Sequence, residues 1–517
     1  MGTETTTPVS LGDADATALR ADLDGWTVDA VAELVGESAM RAIARERLVP
    51  ARRAARASTS RLALLTRLFT LGDVVTRVEA ASALPTLGFD AAVASGLLEA
   101  CGTSDDEVRA VVDLRPYTVA AEQGDITWWV ASDLGEAVTG DRLTGAHVLG
   151  IGGASTTLAS AAMRARVGRV LDLGTGSGIQ ALHASLHADA VVATDISARA
   201  LAFARFNSAL NSPPSPWDLR RGSLLEPVRG ELFDVVVSNP PFVITPAGAP
   251  SFEYRDGGQA GDGIVRTLVT DVGQVLVPGG VAQLLGNWEI SDGEEWSERI
   301  AGWLDEAEVP LDAWVIQRDV LDAAEYAETW LRDAGVVPER DREAFEAAYE
   351  AYLDDFDARG VQGVGFGIMM LRRPLDGRVT MRRFEEHEGV MAEPLGPHLA
   401  EVLAAHDWLV TRDDDAVLAE HWVVAPDVTR ETYGRPTSPD PEHILIRQGG
   451  GLGRAIKADT ALAGFVSACD GELTGAQIAG ALAGLLGVPT VQMAAGLAAA
   501  VRELARDGLL IRDSASD

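Results

Sequence analysis

Apolar positions recur at three- and four-residue spacing from residue 15 to about 110, in segments such as ATALRADLDGW, TVDAVAELVG and SRLALLTRLFTLGD. That period predicts helix after helix. The pattern then changes: EVRAVVDLRPYTV and DITWWVASDLG carry apolar clusters that read as short strands. From Arg169 a hydrophobic run ends in a glycine-rich turn, and a helix and a second run follow, VGRVLDLGTGSGIQALHAS and then VVATDIS. Strand, turn, helix and strand in that order predict a parallel, doubly wound α/β sheet. FDVVVSN, VAQLLGN, LDAWVIQR and VGFGIMMLRR supply further strands, with a charged helical stretch from Asp322 to Phe356 that is too long for a simple connection. Three prolines in Arg435–Pro441 predict a linker. Beyond it, ALAGFVSACDG, TGAQIAGALAGLLG and VQMAAGLAAAVRELARDG predict three helices, with Thr474 and Thr490 as caps, before a last strand in GLLIRD. The expected organisation is a helical N-terminal domain (1–110), an α/β domain with a β-rich lead-in (111–375, core 167–375), a connecting α/β segment (376–435) and a winged-helix-like C-terminal module (443–517).

Composition narrows the partners. The 517 residues are 47% hydrophobic and 23% charged, which excludes a chain disordered throughout. Acidic residues number 77 against 43 basic, and the net charge of −34 opposes general coating of nucleic acid. Lys457 is the only lysine, and one basic island stands out: Arg41, Arg45, Arg47, Arg52, Arg53, Arg56, Arg61 and Arg67. A solvated helix face paired with acidic neighbours is the favoured reading, a nucleic-acid footprint the alternative. No signal peptide and no apolar run of membrane-spanning length is apparent, and Cys101 and Cys469 form no CxxC pair. A cytoplasmic, reducing location without a cysteine metal site is expected. His183 and His187, four apart on a helix, lack an evident third ligand, so no metal is expected. Gly449–Arg454 lacks the Lys-Ser/Thr of a phosphate loop and reads as a flexible lead into the C-terminal module.

Three sites carry chemistry. Leu171-Asp172-Leu173-Gly174-Thr175-Gly176-Ser177-Gly178 ends a strand in a loop whose glycines let backbone approach a ligand, with a helix N-terminus beside it. Position 179 is isoleucine, so the spacing is G-x-G-x-G and not the G-x-G-x-x-G of dinucleotide folds. Asp195, 21 residues after Gly174, ends the next strand, where a carboxylate can accept two ribose hydroxyls; it also suits a helix cap, and both can hold. Ser238-Asn239-Pro240-Pro241-Phe242 follows the strand FDVVVSN. The loop and Asp195 resemble the cofactor motifs of the class I S-adenosylmethionine (SAM) methyltransferases, and NPPF resembles the motif of those that act on planar nitrogens. Tyr254-Arg255-Asp256-Gly257-Gly258-Gln259-Ala260-Gly261-Asp262-Gly263 resembles the glycine-rich stretch downstream of that motif in protein-glutamine N-methyltransferases of the HemK/PrmC type.

The resemblance, from about Val167 to Asn287, implies a Rossmann-like, seven-stranded, mostly parallel sheet binding SAM. Asp172, Gly174, Thr175, Gly176, Gly178, Asp195, Ser223, Leu224 and Asn239 would hold the cofactor. Ser223 stands where relatives often have an acidic adenine contact, and Phe242 replaces the usual tyrosine. Asn239, Pro240 and Phe242 are the expected catalytic set. The amide oxygen and a prolyl carbonyl each accept one N–H of the acceptor nitrogen, and the ring stacks on its planar group. A glutamine side chain of a protein is the favoured acceptor. A base amine of RNA or DNA (guanine N2 or adenine N6) is the alternative, and a non-catalytic SAM-binding scaffold is opposed by the intact Asn239.

Overall fold

The structure, a computed structural model, describes residues 10–102, 106–121, 124–246, 255–256, 258–437 and 441–513. Hydrophobic runs buried on both faces build one large sheet, as expected of parallel strands covered by helices. Its strands are β1 (Val167–Leu173), β2 (Ala188–Asp195), β3 (Trp217–Arg221), β4 (Phe233–Ser238), β5 (Leu276–Ser291), β6 (Asp312–Asp322), β7 (Val361–Arg372) and β8 (Arg382–Glu386), in the order β3-β2-β1-β4-β5-β7-β6-β8. β7 runs antiparallel to both neighbours. Gly367 makes its close fit possible, because a Cβ there would lie 2.1 Å from the Ile316 carbonyl oxygen and 2.8 Å from the buried Trp288 ring. The sheet has eight strands where seven were expected. The extra one, RRFEE, is half-exposed and polar, and it pairs parallel with β6. Indole N–H groups anchor it: Trp314 donates to Glu385 (2.5 Å) and Trp296 to Glu386 (2.9 Å).

The helices that matter for the site follow the strands: α1 (Ile179–Ser185), α2 (Ala198–Asn211), α3 (Gly263–Asp271), α4 (Trp296–Glu306), and α5 (Ala323–Asp333) with α6 (Arg342–Arg359) in the charged stretch between β6 and β7. The chain divides into two compact units, residues 1–159 with 166–386, and 160–165 with 387–517. In the first unit the N-terminal helices share a core with α2, where Trp26 and Phe69 cluster with Phe203, Phe206 and Leu210. α2 also carries two asparagines that serve the hairpin Asp113–Ala121/Gly124–Ser132 as a substitute strand. Asn207 accepts the Ala131 N–H (2.8 Å) and donates to the carbonyls of Ala131 (2.9 Å) and Ser177 (2.8 Å); Asn211 treats Trp129 the same way at 2.9 Å. The basic island is largely consumed: Arg52, Arg56 and Arg67 converge on Asp73, whose side chain is 2% exposed, and Arg61 donates to the Asp24 carbonyl.

In the second unit the three expected helices are Thr460–Ser467, Gly475–Leu486 and Thr490–Arg506. Thr474 caps its helix in a reciprocal box with Gln477, whereas Thr490 is the first helical residue and Pro489 occupies the cap position. The terminal strand Leu510–Arg512 pairs with His421–Val424, a strand from the segment expected to be a connection. Arg435–Pro441 is not a linker between domains. It lies between Val428–Tyr433 and His443–Gln448, an antiparallel pair with Tyr433 opposite His443; residues 438–440 fall outside the described residues. Gly449–Arg454 likewise turns between two paired strands, with Gly450 N–H on the Asp427 carboxylate at 2.7 Å. Among the described residues no helix is long and apolar enough to cross a membrane.

Asn207→Ala strips a buried N–H and two buried carbonyls of their partner, and unsatisfied buried groups cost about 1–3 kcal/mol each. A loss of roughly 3 kcal/mol in urea unfolding is expected; a loss within the error of the fit would show that the hairpin does not depend on α2.

Candidate functional site

Three strand ends meet in one row: Leu173 of β1 lies opposite Thr194 of β2 on one side and Ser238 of β4 on the other. The residues that follow each, Gly174, Asp195 and Asn239, therefore stand at the same level. The row is tied across as well as along. The Thr194 carbonyl accepts the N–H groups of both Gly174 and Thr175 at 2.9 Å, and the Ser238 hydroxyl donates to the Leu173 carbonyl at 2.7 Å. Gly174, Gly176 and Gly178 have φ of 75°, 54° and 90°, which glycine adopts without strain. At Gly178 a side chain is also excluded by space, since a Cβ would lie 2.9 Å from the Trp217 ring.

A cavity of about 400 Å³ opens above this row, within the range of small-molecule sites. Leu173–Ser177, Asp195, Ser223 and Leu224 line one part; Asn239, Pro240, Pro241, Asp256, Gly258 and Gln259 line another. Asp195 accepts backbone N–H groups on both oxygens, Gly176 (2.9 Å) on one and Ser197 (2.8 Å) on the other. A carboxylate oxygen can accept more than one hydrogen bond, so the cap and the ribose readings are compatible. Leu224 holds φ 47°, an unusual backbone for leucine, at the level of the expected adenine contact. The buried Thr194 hydroxyl, also in the lining, has no hydrogen-bond partner among the described residues. Glycine-lined backbone, a carboxylate fixed by two backbone N–H groups and a buried hydroxyl fit an adenosine-bearing cofactor such as SAM.

Three expected residues stand elsewhere: Gly178 is not in the lining, although Ser177 and Ile179 on either side of it are. Asp172 does not line the cavity; it is buried behind the loop, where one oxygen accepts the Thr175 hydroxyl (2.6 Å) and Ala181 N–H (2.9 Å). It thus bolts the loop to α1, and burial pushes its carboxyl up to about 7. Phe242 is not in the lining either. Its ring meets Phe366 edge-on at 6.4 Å and its carbonyl accepts the Asn287 amide at 2.8 Å, so the role of cavity wall passes to Pro240 and Pro241. His183 is a core histidine, bonded to the Tyr117 hydroxyl (2.9 Å) and flanked edge-on by Trp128. Residues not singled out from sequence also line the cavity: His147, Gly150 and Ser155 from GAHVLGIGGAS, and Asp256. Burial lowers the His147 pKa against the opposing pull of Asp133, so a neutral imidazole faces the cavity. The run of glycines in that lead-in was the one available signal.

Strand order, loop and acidic residue together define a class I methyltransferase domain. Residues 150–292 match the family described as Methyltransferase small domain. Residues 24–111 match Domain of unknown function (DUF7059). The chain is similar to the release factor glutamine methyltransferase of Deinococcus radiodurans, 37% identical over 156 residues, 28% of this chain and 54% of that protein. It is similar to the ribosomal protein uL3 glutamine methyltransferase of Bradyrhizobium diazoefficiens (34% over 151 residues, 27% and 47%). It also resembles the ribosomal RNA small subunit methyltransferase C of Alcanivorax borkumensis (30% over 140 residues, 27% and 36%). The chain spans about half the length of the first two relatives.

Asp195→Ala removes two charge-assisted acceptors, so SAM affinity measured by calorimetry should fall by about 1–3 kcal/mol; unchanged affinity would remove the ribose from Asp195. Asp172 holds its proton more tightly folded than unfolded. Its contribution is therefore full below about pH 4 and is lost as pH rises toward 7. Asp172→Asn should lose less stability than wild type between pH 4 and 7 in denaturant titrations, and parallel curves would contradict the burial account.

Proposed function

We propose that this chain transfers a methyl group from SAM to a planar nitrogen, a glutamine side-chain amide of a protein. The observation that carries the reading is that Asn239, Pro240 and Pro241 line the same cavity as the glycine loop and Asp195, in register through Leu173. SAM, when bound, supplies an electrophilic methyl on a sulfonium. The chain's own residues do the rest: the loop and Asp195 fix the donor, and the Asn239 side-chain oxygen with a prolyl carbonyl takes the amide N–H groups and aims the nitrogen lone pair. Prolines at 240 and 241 stiffen that loop and bring no N–H to compete for its carbonyls.

The protein acceptor is favoured over a base in RNA or DNA. Two of the relatives above are named for glutamine methylation, and the net charge of −34 opposes a polyanion. Five of the eight arginines of the island that supported nucleic acid, Arg41, Arg52, Arg56, Arg61 and Arg67, contact Asp73, Glu37 or a backbone carbonyl, while Arg45, Arg47 and Arg53 are exposed.

Asn239→Ala should leave SAM affinity within about threefold while methylation of a purified release factor or protein uL3 collapses, because Asn239 acts on the acceptor. An equal loss of SAM binding would make Asn239 a cofactor residue and overturn the planar-nitrogen reading. Arg52→Ala with Arg56→Ala should leave the salt dependence of transfer shallow; a steep slope with purified RNA, flattened by the pair, would favour the nucleic-acid reading.

A further inference from the structure

Methylating an amide nitrogen creates a proton that must leave, and Asn239 can accept a hydrogen bond but cannot take that proton. Among the described residues lining the cavity there is no lysine or arginine, and the carboxylates are Asp195 and Asp256. Asp195 stands at the end of β2 on the loop side, with both oxygens holding loop and helix N–H groups. His147 sits beside Asp133 and Arg199, toward α2. Asp256 is on the acceptor side: it forms an antiparallel bridge with Phe242 of the NPPF loop, and Val243 N–H donates to the Arg255 carbonyl at 2.7 Å.

The carboxylate of Asp256 is built into place. Its side chain is 5% exposed and that of Arg255 4%, with Arg255 Nε at 3.3 Å and the Thr245 hydroxyl donating at 2.6 Å, both to Oδ1. The supports are themselves held by α5. The Tyr326 hydroxyl accepts Ile244 N–H at 2.8 Å, and Arg255 Nη1 reaches the Trp330 carbonyl and Asp333, both at 3.0 Å. An ion pair this buried on a loop is costly unless geometry is fixed, and here three elements fix it.

We propose that Asp256 is the proton acceptor of the transfer, an inference that rests on reading the cavity as a SAM-dependent N-methyltransferase site. The amide nitrogen's electron pair forms the bond to the methyl carbon as the carbon–sulfur bond breaks and its pair returns to sulfur. The nitrogen then carries one proton too many, and that proton passes to Asp256, leaving neutral thioether, neutral N-methyl amide and neutral carboxylic acid. An N-protonated amide is a far stronger acid than a carboxylic acid, so an Arg-paired carboxylate still takes its proton. The step also removes one positive and one negative charge beside a carboxylate that is only 5% exposed, which low dielectric favours.

Asp256→Asn keeps the shape and can still accept the Thr245 hydroxyl, but cannot take a proton. Its kcat for methyl transfer from labelled SAM to purified release factor, or to the proteins of a cell lysate, should fall by about 10²–10⁴-fold. SAM affinity by calorimetry should stay within about threefold, and Asp256→Glu should recover part of the rate. If Asp256→Asn does not fold, Thr245→Val releases the carboxylate from one support, and an unchanged kcat there overturns the proposal. A kcat for Asp256→Asn within about threefold of wild type overturns it alone. Wild type that binds no SAM, or binds it and methylates neither acceptor, overturns the underlying reading and the proposal with it.

Discussion

One row of residues across the sheet, Thr194–Leu173–Ser238, sets everything above it. Parallel strands in register end together, and the backbone of this row is sealed by the Thr194 carbonyl and the Ser238 hydroxyl. The glycine loop, Asp195 and the Asn239 loop therefore start from a single level, at spacings that the sheet imposes and side chains cannot alter. Methyl transfer needs in-line alignment more than any reactive side chain, and alignment is what a sealed row of strand ends supplies.

Around the row, the structure spends its buried polar groups on holding loops still. Asp172 bolts the glycine loop to α1, and Asn207 joins the same loop, through Ser177, to the hairpin. On the acceptor side, Asp262 accepts Arg299 and Glu289 N–H at the start of α3, and Glu289 pairs with Arg359 of α6. The helices α5 and α6 thus reach the glycine-rich stretch at both ends, through Arg255 and through Arg359. The charged insertion between β6 and β7 earns its length as a brace for the acceptor loop.

Much of this was legible in the chain. Six strands of the large sheet announced themselves as Val-, Ile- and Leu-rich runs, whereas β3 (WDLRR) has none; the G-x-G-x-G spacing encodes a backbone shape directly, since positive φ is a property of the residue. β8 was hidden because RRFEE has no hydrophobic run; its strand is held by pairing with β6 and by two tryptophans, Trp314 and Trp296, 71 and 90 residues upstream of their partners, not by its own pattern. The proline cluster at 435–441 was misread because prolines suit a hairpin loop as well as a linker. Asp172 and Phe242 were placed in the right neighbourhood with the wrong direction, because identity says nothing of which way a side chain turns when Thr175 or Phe366 competes for it. Asp256 stood in a quoted motif, yet its orientation depends on Thr245 and on Tyr326 across a separation in sequence that no local pattern spans.

The central claim is that one cavity aligns SAM with a protein amide. Incubating the full chain with methyl-labelled SAM and cell lysate, followed by nuclease or protease, tests it most directly. The account predicts label that survives nuclease, becomes soluble with protease, and is released as methylamine on acid hydrolysis, as an N-methyl amide must be. Label removed by nuclease and found on a base amine would contradict it.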